Sequence, residues 1–197
     1  MCGRCRTRVG FTLVELMLVM LIASIFAALI ITRFESSVSA QLNAVAQIVA
    51  SDMARARSLA VANNGTYRVS FDLANNCYYL EYTGTNNALA ALPSTPFYTS
   101  QDTATRQYTL LNNLLSAGGM VQLAAVGSNG PSPSPRSQVE FGNQGQTTQI
   151  DETDIWLTAG SGSSQRWQWV KINPTTGLAT VEAFQASAPP PSIVTGS

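Results

Sequence analysis

The chain has 197 residues, balances eleven basic against eleven acidic side chains, and contains no histidine. That absence excludes Ser-His-Asp and Cys-His catalysis and His-ligated metal sites, and no P-loop or strand-following G-x-G-x-x-G is present. Beyond residue 10 only eight basic residues face eleven acidic ones, which argues against a nucleic-acid partner, because counterion release needs clustered Lys and Arg.

Residues 1–10 carry Arg4, Arg6 and Arg8 and no acid. Cys2 and Cys5 form a C-x-x-C pair with no second pair to complete a zinc site. From Phe11 to Thr32 the chain is predominantly apolar, with Glu15 its single charge. A helix of that length would extend about 33 Å, enough to cross a bilayer core. The basic flank ahead of it predicts a cytoplasmic N-terminus. A secretory signal would have a shorter core with a small-residue cleavage site after it. A lone carboxylate at membrane depth costs about 2.5–3.5 kcal/mol, so Glu15 needs a partner.

Past Thr32 the pattern becomes amphipathic. Phe34, Val38, Leu42, Val45, Val49, Met53, Ala56 and Ala60 recur at close to the α-helical period. No proline or glycine intervenes before Asn63-Asn64-Gly65, where the helix is expected to end. Arg55 and Arg57 are read as a solvated face.

From Tyr67 the period changes to two. Tyr67, Val69, Phe71 and Leu73 alternate with polar residues, and Asn75-Asn76 supplies a turn before Cys77 to Tyr82. This predicts a hairpin packed on the helix stripe. Residues 83–107 read as an extended loop. Strands are expected at Gln107 to Leu111, Met120 to Ala125, Gln138 to Phe141, Asp154 to Thr158, Arg166 to Ile172 and Leu178 to Phe184. Gly127 to Arg136, with its Ser-Pro repeats, is expected to be a surface loop. Asn173 to Gly177 makes a turn, and residues 186–197, with Pro189-Pro190-Pro191, read as a flexible tail.

The basic leader, Gly10 before Phe11, and the uninterrupted Gly10-Phe11-Thr12-Leu13-Val14-Glu15-Leu16 resemble the class III signal of the type IV pilin and pseudopilin family. The resemblance implies cleavage after Gly10 by a prepilin peptidase and N-methylation of Phe11. It also implies that Glu15 pairs with the Phe11 amine of a neighbouring subunit, consistent with the physics of a buried charge pair. Ala54 to Ala60, Val139-Glu140-Phe141 with Gly145, and Trp169 to Ile172 with the turn to Gly177 are similar to the GspH/FimT branch. In that branch an arginine commonly follows the glycine; here Leu178 stands there.

The implied fold is α+β and pilin-like: one long helix with a transmembrane first half, and an antiparallel β-sheet on its second half. The implied organisation is a leader at 1–10, an assembly and membrane half at 11–32, an amphipathic half at 33–64, a periplasmic head at 65–185 and the tail. The expected role is a minor pseudopilin of a type II secretion pseudopilus or type IV pilus. Its partners would be other pilin or pseudopilin subunits, the prepilin peptidase and the inner-membrane assembly platform. The expected location is the inner membrane, single-pass with the head periplasmic, and then a filament. The alternative is a minor pilin whose head binds DNA or a surface ligand. No enzyme, cofactor or metal is implied. Asp151, Glu152 and Asp154 could form a Ca²⁺ site, although a solvated acidic turn is the reading favoured. Trp156, Trp167 and Trp169 read as core or sheet-face residues before a sugar platform, and Cys77 as a small strand residue.

Overall fold

The computed structural model describes residues 12–93, 99–114 and 121–194, and for residues 27–37 it describes the helical backbone alone. The chain forms two compact units, Met1–Ser37 and Val38–Ser197. Helix α1 spans Leu13–Ala62. Thr12 caps its start, its Oγ1 accepting the Glu15 N–H at 3.3 Å, so one orphan donor of the first turn is satisfied. At the other end Asn64 turns left-handed (φ 45°). Gly65 N–H then donates to Ala60 O at 3.0 Å, and Asn64 N–H to Val61 O at 3.2 Å. These are the two bonds of a Schellman stop, with asparagine rather than glycine in the left-handed seat.

In the Met1–Ser37 unit every described side chain from Thr12 to Phe26 is exposed. Among the described residues no helix is long and apolar enough to cross a membrane. The expected spanning segment, 11–32, runs into positions 27–32, whose side chains lie outside the described residues.

The Val38–Ser197 unit is built on the second half of α1. Leu42, Val45, Ala46, Val49, Met53, Ala56 and Ala60 are each no more than 1% exposed. The predicted stripe is therefore the floor of the core, and its alanines let neighbouring strands approach closely. Strands β1 (Tyr67–Asp72) and β2 (Cys77–Tyr82) form the expected hairpin, with Val69 opposite Leu80. Its turn is held by Asn75, whose backbone and side-chain amides both donate to the Asp72 carboxylate, at 3.0 and 2.7 Å. Strand β3 (Arg106–Leu110) adds to β2, and β5 (Gln138–Phe141) adds to β1, giving the antiparallel order β3-β2-β1-β5.

The expectation of one sheet is corrected: the described residues form two. The second runs β4-β6-β7-β8, from β4 (Val121–Ser128), β6 (Thr153–Ala159), β7 (Arg166–Ile172) and β8 (Ala179–Val181). Strand β6 is buried along its whole length, because both faces of this sheet are covered. One face joins the α1 core through Ile155, Leu157, Val170 and Ile172. The opposite face carries Trp156, Trp167 and Trp169. A register shift between Leu123 and Ala125 in β4 turns Ala125 onto that second face. The side chain of Asn76, at the hairpin turn, ties the two sheets: it accepts from Leu123 N–H at 2.7 Å and donates to Val121 O at 3.0 Å.

One expected loop, one strand and the tail are also corrected. Strand β4 continues through Gly127 and Ser128, and the Ser-Pro segment folds back along it through Ser128 N–H to Ser134 O and Arg136 N–H to Val126 O. That covers the free edge of β4. The strand expected over Leu178 to Phe184 is regular only at Ala179–Val181, beyond which Glu182 and Gln185 still bond to β7. The tail is not free either: helix α2 (Pro191–Val194) buries Ile193 to 4% exposure.

The joint between α1 and the last turns is tight. Arg57 donates from Nε to Thr176 O at 2.7 Å, beneath Gly145 and Gly177. A Cβ on Gly177, whose φ is +63°, would lie 1.9 Å from Gly145 O. Gly177→Ala is therefore expected to destabilise the folded chain by about 2–4 kcal/mol, read as a lowered urea midpoint. A midpoint within experimental error of the wild type would show that this turn has room to spare.

Candidate functional site

Gly10 and Phe11, the predicted cleavage and methylation positions, lie outside the described residues. Glu15 sits in the first turn of α1 with Leu13, Val14, Leu16, Met17, Leu18 and Val19 around it, each between 55% and 76% exposed. So many apolar side chains facing outward on one segment are unusual for a free-standing surface. Glu15 at the third helical position is also well placed electrostatically, since an acid in the first turn complements the positive end of the helix dipole.

The three carboxylates considered for Ca²⁺ do not converge. The Asp151 carboxyl packs against Gly130, and its backbone carbonyl accepts from Arg136 at 3.4 Å. Glu152 pairs with Lys171 at 3.5 Å. Asp154 is only 4% exposed, which corrects the picture of a solvated turn. Among the described residues no three potential ligands lie together.

Burial is what sets the chemistry of Asp154. It pushes the carboxyl up from 3.8 to about 6, against the pull of Lys171 and with some help from the negative charge of Glu152. Between those values the folded chain holds more protons than the unfolded one, so folding stability falls as pH rises through that window.

The sheet face around Asp154 is aromatic. Trp156 and Trp169, directly paired across β6 and β7, stack with centroids 4.6 Å apart and planes at 18°. Trp167 lies beside them, half-buried, on the same strand face as Trp169, as the period-two pattern predicts. Cys77 is buried in β2, and desolvation raises its thiol above the ordinary value, so it is held in the unreactive form.

The described basic side chains of the Val38–Ser197 unit are committed. Arg68 pairs with Glu81 and Glu140, and Arg106 pairs with Glu81 at 2.9 Å while stacking over Tyr79. Arg136 donates to Thr153 Oγ1 at 2.7 Å, and Arg166 to the carbonyls of Ser163 and Gln165. Arg55 donates to Pro93 O at 2.9 Å. With Arg57 bound to Thr176, the solvated face expected for these two helix arginines is corrected: both anchor loops to α1. A third anchor is Asp52, which accepts from Tyr78 Oη at 2.6 Å and from Thr109 Oγ1 at 3.1 Å. Its carboxylate helps raise the Tyr78 phenol well above its ordinary value, after burial itself. None of the three is visible in the sequence, because each depends on a partner far along the chain.

Asp154→Asn removes a buried carboxyl that opposes folding above pH 6. Its expected effect is a gain of about 1–2 kcal/mol at pH 7.5 that vanishes by pH 3.5. Thermal unfolding at the two pH values measures this, and a pH-independent change would mean that Asp154 titrates normally.

No protein-family model matches the chain, and no curated protein matches it. Among solved structures it is similar to the type IV minor pilin FimU of Pseudomonas aeruginosa (strain PAO1) in two crystal forms. One, in space group P21, shares 10% identity over 72% of this chain and 88% of that one, with a TM-score of 0.46. The other, in P65, shares 12% identity over 72% and 93%, with a TM-score of 0.44.

Proposed function

We propose that the chain is a minor pilin or pseudopilin of the GspH/FimT kind, cut after Gly10, methylated at Phe11 and assembled into a filament through its N-terminal helix. The observation that carries this is the run Gly10-Phe11-Thr12-Leu13-Val14-Glu15-Leu16 at the head of a helix whose side chains are apolar and exposed up to Phe26. Such a surface is stable only against lipid or against other apolar helices. In this reading residues 11–32 cross the inner membrane with the leader in the cytoplasm, and the unit from Val38 stands in the periplasm. Glu15 then meets the new ammonium group of a neighbouring Phe11. Each charge lowers the cost of burying the other, which neither could bear alone.

The partners follow from the chemistry: a prepilin peptidase for the cut, sibling subunits for the helix, and the inner-membrane platform that feeds them into a type II secretion pseudopilus or a type IV pilus. The engaged arginines and the net acidity of the processed chain disfavour the DNA-capturing reading.

Mass spectrometry of the native N-terminus is expected to find methyl-Phe11, and Gly10→Val to leave full-length precursor in the membrane. A wild-type protein that begins at Met1, with no shorter species, overturns the processing step. Glu15→Ala is expected to insert normally but to drop at least tenfold in sheared filament fractions. Wild-type recovery of that variant would remove the pairing role of Glu15.

A further inference from the structure

The C-terminal segment follows a defined path across the second sheet. It continues the β8 ladder along β7, with Glu182 N–H donating to Trp169 O at 3.0 Å and Gln185 N–H to Trp167 O at 2.8 Å. Residues 186–188 are then exposed, Pro189 is buried, and Ile193 seats on Ala125 and Trp156. Ile193 also presses on Gly127, where a Cβ would lie 2.4 Å from its Cγ2. The segment thus leaves the sheet at β7 and comes down on β4, on the face that carries the tryptophans.

This seat is incompletely satisfied. Trp156 Nε1 and Asp154 Oδ1 are both buried and have no hydrogen-bond partner among the described residues. Trp156 lies two residues on from Asp154 along β6, and Gly127, under Ile193, is directly opposite Asp154. One donor and one acceptor at the same seat go unused, which is costly for buried groups. Lys171 favours the charged form of Asp154 but is itself paired with Glu152 at 3.5 Å, Asn129 donates a hydrogen bond to the carboxyl, and Glu152 and Glu182 oppose its charge. Residues 186–194 bring no charge at all.

We propose that this face, centred on Asp154 and Trp156, is a binding site for a partner protein's peptide segment that places a Lys or Arg beside an aliphatic residue, and that residues 186–194 occupy it in cis. The aliphatic residue takes the Ile193 seat over Gly127. The cation reaches Asp154, and a backbone carbonyl accepts the Trp156 N–H. A sugar fits less well, because Trp156 and Trp169 spend their ring faces on each other. The site lies wholly in the Val38–Ser197 unit, so it does not depend on how the N-terminus is processed.

The test uses the full chain in detergent with Ile193→Ser, which loosens the resident segment without adding charge. Two labelled synthetic peptides are titrated by fluorescence anisotropy: residues 186–197 as they stand, and the same peptide with Ser192→Lys. Saturable binding of both is expected, at least threefold tighter for the lysine peptide. Wild-type chain should bind each at least tenfold more weakly, because its own segment competes. The lysine advantage should disappear when Asp154→Asn is added. The proposal is overturned by absence of saturable binding, by equal affinity for the two peptides, by an advantage that survives Asp154→Asn, or by displacement of bound peptide by maltohexaose. Far-UV circular dichroism checks that the variant is folded, and if it is not, Ile193→Ala carries the same titrations.

Discussion

Water must be kept from the α1 stripe between Leu42 and Ala60, and most of the Val38–Ser197 unit can be understood from that requirement. A single four-stranded sheet can cover one side of a helix, yet here the inner faces of two sheets do so jointly. Val69, Leu80 and Val139 come from the first, and Ile155, Leu157 and Val170 from the second. Alanine at 46, 56 and 60 makes this possible by keeping the helix surface low where strands approach. Each fully buried Val, Leu or Met in the cluster contributes about 1.5–3 kcal/mol, more than a solvent-accessible ion pair, which is worth about 0–1 kcal/mol. Polar groups then serve position rather than energy. Asp52, Arg57 and Asn76 each lock one strand or turn to a place the apolar contacts leave loosely defined.

Splitting the cover into two sheets has a consequence for the second one. Its inner face is consumed by the helix, and its outer face is also too apolar for water, with Trp156, Trp169 and Ala125 upon it. Something has to lie there. The C-terminal segment does so through Pro189 and Ile193, with Gly127 cut back to make room. Asp154 is the cost of this arrangement: once covered, its carboxyl is desolvated and resists ionising. Burial, charge and the path of the tail are therefore one linked feature.

How much of this was legible in the sequence depended on how local the cause was. The helix stop at Asn63-Asn64-Gly65, the strands Gln138–Phe141 and Arg166–Ile172, and the turn over Asn173 to Gly177 all follow from neighbours in sequence, and the structure has them there. The second sheet was harder, because β6 reads Thr-Asp-Ile-Trp-Leu-Thr-Ala and is buried throughout, so no alternation marks which face is which. The tail misled for a related reason. Ile193 is one aliphatic residue among prolines and serines, and its worth depends on a glycine sixty-six positions earlier. Arg57 looked like a solvated charge because its acceptor, the Thr176 carbonyl, is 119 residues away.

Glu15 shows where magnitudes decide between two explanations of one residue. Thr12 and Glu15 together have the form of a capping pair, and the Thr12 half of it is made. Placing an acid in the first turn is worth about 0.3–1 kcal/mol at a solvated helix end. Burial of the same acid at membrane depth costs about 2.5–3.5 kcal/mol or more. Capping therefore accounts for Glu15 only if the first turn stays in water, and the apolar side chains that surround it from Leu13 to Val19 make that placement unfavourable. In lipid or among packed helices the deficit has to be met by a positive charge. The leader arginines lie on the far side of the proposed cut and are lost with it, which leaves the ammonium group created at Phe11. Cleavage would thus generate the very cation that the Glu15 carboxylate requires.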